Sequence, residues 1–248
     1  MCVDVDEKLR GAHVSRSVEA VFKVFNGSVH SGLLDLQLNL KKVAEELLAK
    51  HGYSSKASVG LKIKLLQRVE GSDLIPVALA LRTSVRLARR GDERYSVGIA
   101  FEGMSVCPCT QQVYSFLEGT PVQHTPSHSQ RAVLSVYIES PTPVDIDGGE
   151  IVKALTTAFS SPVKNLLKRD DEFKLIKKAF ENPKFAEDIA REAMYTLYRI
   201  LIGRLSPESK IAVKVLSFES VHPYNLYVEV RGSVEELGKV FSSTGEDR

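Results

Sequence analysis

The spacing of apolar residues changes from a helical to an alternating pattern near residue 57. Within 34–49 the apolar positions recur every three or four residues, and the pattern stops at His51-Gly52, which predicts an amphipathic helix with a glycine end. The apolar positions of this helix are Leu36, Leu40, Val43 and Leu47. From Ala57 to Leu65 every second residue is apolar, which predicts a half-buried antiparallel strand.

Two further alternating segments, 81–87 and 95–101, flank the sequence RRGD at 89–92. Glycine and aspartate are residues that a tight turn requires, so this arrangement predicts a β-hairpin. The second strand of the hairpin leads directly into a pair of cysteines at 107 and 109.

The second half of the chain repeats the same order of elements after a connector at 140–149, SPTPVDIDGG. Helical spacing and alternation predict these elements: a strand at 132–138, helices at 151–159 and 185–201, and strands at 211–215 and 226–230. Each half therefore combines helices with antiparallel strands. The order of elements alone predicts an α+β duplication with units at 1–140 and 141–248.

Composition narrows the class of protein. The 248 residues are 43% hydrophobic, enough to bury a core in one large or two small domains. The net charge of +2, from 33 basic and 31 acidic residues, provides no global field for nucleic acid. No apolar run approaches the roughly 20 residues of a spanning helix, and the charged start lacks a signal-peptide pattern. We therefore expect no nucleic-acid or membrane partner, and a cytoplasmic protein whose three cysteines are free thiols.

The step Cys107-Pro108-Cys109, followed by His128, is the strongest chemical signal. A disulfide between thiols so close in sequence would be strained, so a soft-metal or nucleophile site is the first interpretation. The alternative is that the cysteines are small buried apolar residues and His128 is a hydrogen-bonded structural histidine. Polar residues at predicted element ends are Cys107, Cys109, His128, Glu172, Glu187, Glu219 and His222. Thiolate, imidazole and carboxylate are the ligand types of a catalytic zinc site with an open position.

Glu187 shows why sequence alone leaves the site open. It lies two residues from both Phe185 and Ile189, so it points roughly 200° away from their apolar stripe. In a monomer it would simply be an acid in the first turn of a helix, where the helix macrodipole stabilises a negative charge. We expect it to reach a site only if that helix face meets another subunit.

Six blocks, in this order along the chain, resemble the motifs of type IB GTP cyclohydrolases, which include bacterial folate and archaeal methanopterin enzymes. The blocks are GAHVSR (11–16), SVCPCTQ (105–111), SHSQR (127–131), LLKRDDE (166–172), NPKFAEDIARE (182–192) and FESVHPYN (218–225). The resemblance implies a tunnelling fold of two tandem ββααββ-like units, with antiparallel sheets and helices on one face. It also implies a homo-oligomer, expected to be a tetramer, with active sites between subunits.

The implied reaction opens the guanine imidazole ring of GTP, releases formate and gives a 7,8-dihydroneopterin phosphate, either the triphosphate or a 2',3'-cyclic phosphate. By the resemblance, one divalent ion per subunit, Fe²⁺, Zn²⁺ or Mn²⁺, is held by Cys107, His128 and Glu172, with Cys109 as an alternative thiol ligand. Catalytic roles are implied for Cys107, Cys109, Glu187 and His222, the last two as proton shuttles. Substrate contacts are implied for Glu219, which grips guanine, and for the triphosphate candidates His13, Ser15, Arg16, Gln130, Arg131, Lys168 and Arg169.

The chain also departs from the family motifs. The segment between Cys109 and His128 is expected to be a long loop, Asp170 replaces a usual proline, and Tyr224 stands where many members have a second histidine. Two other functions stay open from the sequence. One is a non-catalytic purine- or pterin-binding oligomer, and the other is a different tunnelling-fold enzyme acting on a pterin or deazaguanine.

Overall fold

The computed structural model describes residues 1–26, 32–67, 77–164 and 166–243, and no side chain between 65 and 81 is described. The strands are β1 Cys2–Val3, β2 Lys56–Gln67, β3 Val77–Ala88, β4 Glu93–Val106, β5 Ser129–Ser140, β6 Ser161–Pro162, β7 Lys210–Ser217 and β8 Leu226–Ser233. The helices are α1 Val14–Phe25, α2 Leu33–Lys50, α3 Pro108–Glu118, α4 Gly148–Leu155, α5 Arg169–Glu181, α6 Ala186–Leu201 and α7 Val234–Ser243.

The strands form an antiparallel sheet in the order β1-β2-β3-β4-β5-β7-β8, with the short β6 paired to β4. Pairing follows the order along the chain, so the α+β prediction with an antiparallel sheet is confirmed. The sheet is continuous across residue 140, because β5 pairs with both β4 and β7. The boundary between tandem units at 140 and 141 stays a prediction.

Strand alternation places the core on one face of the sheet. The core-facing residues of β4 are Tyr95, Val97, Ile99 and Phe101, all nearly inaccessible to solvent. Helices α1 and α2 cover this face over β2 and β3, while α4 and α6 cover it over β4, β5 and β7. The intervening residues of the strands line a groove of about 940 Å³ on the opposite face, among them Gly98, Tyr137, Lys214 and Arg231. Across the described ranges, no helix combines the length and apolar character needed to cross a membrane.

Most of the predicted elements are present. The helix at 34–49 is α2, which ends at the predicted His51, and RRGD forms the turn between β3 and β4, with Gly91 at a φ of 87°.

The expectation of a long loop between Cys109 and His128 is wrong, because that segment contains α3 and a short 3₁₀ turn, Val122–His124. Its signals were Pro108 in the first helical turn and Gly119 in the left-handed conformation just after the last.

Gly103 allows an aromatic ring to pack directly on the backbone of β4. A Cβ atom at this position would lie 2.2 Å from Cγ of Phe159, which is buried and packs edge-on against Phe101. We expect Gly103→Ala to lower the free energy of unfolding by about 3 kcal/mol, because the ring must move out of a packed core. Urea unfolding measures this loss. The matched control is Gly98→Ala in the same strand, whose nearest contact would be an ordinary 3.6 Å. Equal losses in the two variants would contradict the packing argument.

Asp4 fastens the N-terminal segment to the start of β2. Its carboxylate accepts hydrogen bonds from the Ser55 hydroxyl at 2.6 Å, the Ser55 amide at 3.0 Å and the Lys56 amide at 2.7 Å. These bonds, the Ser55 hydroxyl first, lower the pKa of Asp4 from 3.8 to about 2. Since the folded chain binds this proton more weakly than the unfolded chain, the stabilisation is present above the ordinary pKa and is lost as the pH falls towards 2.

We therefore expect Asp4→Asn to be less stable at neutral pH, by less than about 1 kcal/mol because the exposed carboxylate is screened by solvent. The difference from the parent protein should close as the pH falls from 3.8 to about 2. Thermal unfolding followed by circular dichroism at several pH values measures it. A difference that stays constant across that window would show that Asp4 acts in some other way.

Candidate active site

Cys107 and His128, which were singled out in the sequence, are backbone neighbours where β4 ends and β5 begins. Val106 pairs with Ser129 across the ladder, and the next backbone contact is a hydrogen bond from the Cys107 amide to the His128 carbonyl, at 3.1 Å. The Ser127 hydroxyl donates to the Cys107 carbonyl at 2.6 Å, which adds a second hydrogen bond between the residues that follow β4 and those that precede β5. Residues that are 21 positions apart in sequence are thus neighbours at one end of the sheet.

Both thiols of the pair are free, as predicted, and they occupy the start of α3. Cys107 immediately precedes the helix and is half-buried, with the Thr110 hydroxyl 3.6 Å from its sulfur. Cys109 lies in the first turn and is exposed. The half-buried thiol beside His128 is therefore Cys107.

The connection between β7 and β8 brings the guanine-binding candidate to the same end of the sheet. The Phe218 amide donates to the Arg131 carbonyl at 2.9 Å, which continues the β5–β7 pairing past Ser217. Glu219 is partly buried, and one of its oxygens accepts a hydrogen bond from the Ser217 hydroxyl at 2.8 Å. The Ser220 hydroxyl then lies 3.4 Å from Nδ1 of His128.

His222 lies in the same connection and is exposed, with its ring stacked parallel to the ring of Tyr224 at 5.2 Å. Tyr224 is the residue that replaces a second histidine of the family motif. Here it supports the imidazole of His222 by stacking, a role that an aromatic ring of either kind can fill.

Glu187 also lies at this end of the sheet in the same chain. The Lys184 amide donates to the Val106 carbonyl at 3.0 Å, and the Ser105 hydroxyl donates to the Lys184 carbonyl at 2.8 Å. These bonds hold the start of α6 against the end of β4, and Glu187 is exposed in the first turn of that helix. The start of α6 is thus at the cysteine end of the sheet, and the expectation that Glu187 acts across a subunit interface stays a prediction.

The third predicted metal ligand lies apart from this pair. Glu172 is in the first turn of α5, together with Arg169 and next to Lys168, and about 14 Å along the helix axis from Glu181 at the other end. It is that other end of α5 that contacts α3, through a 3.0 Å hydrogen bond from the Gln111 amide to the Phe180 carbonyl. Among the residues that the structure describes, no group of three or more His, Cys, Asp or Glu side chains is placed to hold a metal ion.

Three of the triphosphate candidates lie at the opposite end of the sheet. His13 precedes α1 and its carbonyl lies 3.3 Å from Nε2 of the buried His51, while Arg16 donates to the Lys50 carbonyl at 3.0 Å. Both contacts are at the end of α2. That end is joined to the β3–β4 turn, where Arg89 donates to the Leu48 carbonyl at 2.5 Å.

The separation follows from the length of β4, which runs for 14 residues from this turn to Val106 and so spans about 45 Å. His13, Ser15 and Arg16 are therefore far from Cys107 of the same chain. Gln130 and Arg131 are at the cysteine end, where Arg131 forms an exposed ion pair with Glu102 at 3.2 Å. One chain thus divides the predicted phosphate contacts between the two ends of its sheet.

Sequence analysis did not identify three residues that shape the site. Ser105 and Ser220 contact the side chains of Gln130 and His128, and Gln111 is fully buried with an amide oxygen that has no hydrogen-bond partner. Ser105 and Gln111 flank the cysteine step within the SVCPCTQ block. Gln111 lies four residues after Cys107, about one helical turn, and Ser105 lies two residues before it, on the same face of an extended strand. These spacings were the signal that could have identified the two residues.

Comparisons with known proteins find similarity over most of the chain. The family model described as "Type I GTP cyclohydrolase folE2" matches residues 1–228. The GTP cyclohydrolase MptA of Aeropyrum pernix is 34% identical over 244 residues, which cover 97% of this chain and 83% of the relative. The GTP cyclohydrolase MptA of Thermoplasma acidophilum is 29% identical over 248 residues, which cover 96% of this chain and 84% of the relative. Among solved structures, uricase from Arthrobacter globiformis matches 89% of this chain and 76% of its own, with a TM-score of 0.50 and 10% identity, a likeness of fold alone.

Proposed function

Because the chain belongs to the type I GTP cyclohydrolase (folE2) family, we propose that it opens the guanine ring of GTP at a divalent metal ion bound by Cys107 and His128. Family membership makes the protein a GTP cyclohydrolase of pterin biosynthesis, and it favours catalysis over a non-catalytic purine-binding oligomer. The observation that carries the metal proposal is the adjacency of Cys107 and His128, with Glu219 at the same end of the sheet.

The donor set fits two positions of such a centre. Thiolate and imidazole suit Zn²⁺ or Fe²⁺, and imidazole with carboxylate suits Mn²⁺. When bound, the ion supplies Lewis acidity to water at the purine C8 carbon. Glu172 is the proposed carboxylate ligand, and Cys109 is the alternative thiol. Because the described residues of one chain contain no group of three such ligands, we propose that subunit assembly completes the set.

Glu219 is the proposed guanine contact. The Ser217 hydroxyl donates to one carboxylate oxygen, which orients the group and leaves acceptor sites on both oxygens for the guanine N1–H and amino group. Adenine does not present this pair of donors, so the carboxylate selects guanine. Glu187 and His222, both exposed at the same end of the sheet, are the proposed proton carriers for the ring nitrogens and the departing formyl group.

We expect Glu219→Gln to weaken GTP binding by about 100-fold and to leave the metal content unchanged. The variant replaces an acceptor by an amide donor that faces the guanine N–H groups, and an unmatched buried polar pair costs several kcal/mol. Equilibrium binding of GTP and metal analysis of the same preparation measure the two effects. The control is Glu208→Gln, the same change at an exposed turn before β7. GTP affinity equal to that of the parent would remove Glu219 from the purine site.

The active protein is proposed to be a homo-oligomer, with a tetramer as the expected size. Two features support sites that form between subunits: the incomplete metal set in one chain, and the placement of His13, Ser15 and Arg16 about 45 Å from Cys107 along β4. Lys168 and Arg169, the proposed phosphate contacts of this segment, lie at the start of α5, near Glu172.

The test of the function is incubation of anaerobic protein, loaded separately with Fe²⁺, Zn²⁺ or Mn²⁺, with GTP. Mass spectrometry of the products separates a dihydroneopterin triphosphate from a 2',3'-cyclic phosphate, and a formate assay reports the ring opening itself. Formate and a pterin product are expected with at least one of the three metals. Unchanged GTP with every metal, in protein of the expected oligomeric size, would overturn the proposal.

A further inference from the structure

A chain of side-chain hydrogen bonds leads from the interior of the protein to the imidazole of His128. Nδ1 of His128 lies 3.0 Å from Oε1 of Gln130, and Nε2 of Gln130 lies 3.4 Å from the Ser105 hydroxyl. The Ser105 hydroxyl in turn contacts the Lys184 carbonyl at 2.8 Å, and Ser105 is nearly inaccessible to solvent. Gln130 and Ser105 are paired residues of β5 and β4, so the sheet itself holds this chain in place.

The direction of each bond follows from the hydrogen atoms available. A carbonyl can only accept, so the single hydroxyl hydrogen of Ser105 is used on Lys184. The Ser105 oxygen must then accept from the amide nitrogen of Gln130. This orients the amide with its oxygen towards His128. The opposite orientation would place the amide oxygen against a hydroxyl oxygen whose hydrogen is already used.

An amide oxygen facing Nδ1 at 3.0 Å requires a hydrogen on Nδ1, because two acceptors at that distance repel. In the neutral imidazole the other nitrogen, Nε2, is then without a hydrogen and has a free lone pair. The Ser220 oxygen lies 3.4 Å from Nδ1 and can accept a second, weaker hydrogen bond from the same N–H group. Both neighbours of Nδ1 are therefore compatible with one tautomer.

We propose that Gln130, oriented by Ser105, is a positioning residue that fixes His128 in the Nδ1–H tautomer and so presents Nε2 as the ligand nitrogen. The inference rests on the proposed metal-binding role of His128, and it gives Gln130 a role different from contact with the triphosphate. A partner that fixes the tautomer of a ligating histidine contributes about 10- to 100-fold to metal affinity.

The tautomer can be observed without metal or GTP. In metal-free protein with ¹⁵N-labelled histidine rings, long-range ¹H–¹⁵N correlation spectra at about pH 8.5, where an ordinary imidazole is neutral, identify the nitrogen that carries the hydrogen. The His128→Ala spectrum assigns the signals of His128. We expect a protonated Nδ1 in the parent protein, and a protonated Nε2 there would overturn the proposal.

Three variants separate positioning from a general structural role. Gln130→Leu removes the acceptor, so His128 should shift towards the Nε2–H tautomer, with the Ser220 hydroxyl donating to the bare Nδ1. Gln130→Glu keeps an acceptor facing Nδ1 and should retain the Nδ1–H tautomer, with the Ser105 hydroxyl turning from the Lys184 carbonyl to donate to the second carboxylate oxygen. Gln123→Leu makes the same change as the first variant at an exposed residue of the 3₁₀ turn and should behave like the parent. Retention of the Nδ1–H tautomer in Gln130→Leu would contradict the proposal.

Zn²⁺ titration of the same variants gives a second readout. The dissociation constant should rise about 10- to 100-fold in Gln130→Leu and should not rise in Gln130→Glu, at equal melting temperature. A Gln130→Leu variant that binds Zn²⁺ like the parent but loses only GTP affinity would assign Gln130 to the triphosphate instead. Failure of the parent protein to open GTP would leave the tautomer result standing, so the two proposals fail separately.

Discussion

Replacement of His128 by alanine is expected to remove the bound divalent metal and to lower the rate of GTP ring opening by at least about 10³-fold. The expectation follows from the position of the ring beside Cys107: without it, one half-buried thiol remains of the adjacent pair. Without the ion, water at the purine C8 carbon loses its Lewis acid. Metal analysis and formate release on the same preparation measure both effects.

The matched control is His124→Ala, an exposed histidine of the 3₁₀ turn in the same connection. It should keep both the metal and the activity. Full metal occupancy in the His128→Ala protein would show that the ion binds elsewhere, and the ligand assignment would then be wrong even if activity fell.

Mixing two inactive proteins is expected to restore activity if the site forms between subunits. One protein has His128→Ala at the cysteine end of the sheet, and the other has His13→Ala and Arg16→Ala at the opposite end. No single chain can bring both sets of residues to one GTP molecule, because β4 separates them by about 45 Å. After the chains are unfolded and refolded together in equal amounts, random assembly gives about one site in four with both sets intact.

The expected activity of the mixture is therefore about one quarter of the parent value, measured by formate release. Each variant is first assayed alone, and the double variant must be inactive for the mixture to be informative. Its melting temperature is compared with that of the parent, since Arg16 also binds the end of α2. A mixture that assembles to normal size but stays inactive would contradict a site formed between subunits from these two sets of residues.

Local patterns were sufficient to predict most of the sheet. The apolar and polar residues alternate over 57–65, 95–101 and 132–138 because helices cover one face of the sheet only. Each residue of such a strand shows in its own polarity which face it occupies, so the pattern can be read from the sequence. Helix α1 was not predicted, because it begins after His13 with no side-chain cap and no acid in its first turn. Its apolar residues Val14, Val18 and Phe22 do recur every four residues, so apolar spacing was the signal that could have predicted this helix.

The site could be predicted only in part, for a related reason. Sequence analysis proposed Cys107 and His128 as partners through a family resemblance, while their contact depends on the register of β4 against β5. Register is a property of paired strands, and no local pattern encodes the hydrogen bonds from Lys184 or Ser220. The division of the phosphate candidates between two ends depends on the whole length of β4, which only the folded chain reveals.

The contact between Gly103 and Phe159 also constrains how this protein can change over evolution. A larger residue at position 103 becomes acceptable only after the ring at 159 has been replaced by a smaller side chain, because the two positions share one volume. Either order passes through a destabilised intermediate, because loss of the ring first leaves a cavity and a side chain at 103 first overpacks the core. The effect of either substitution therefore depends on which came first. Along lineages that keep Phe159, glycine should persist at position 103.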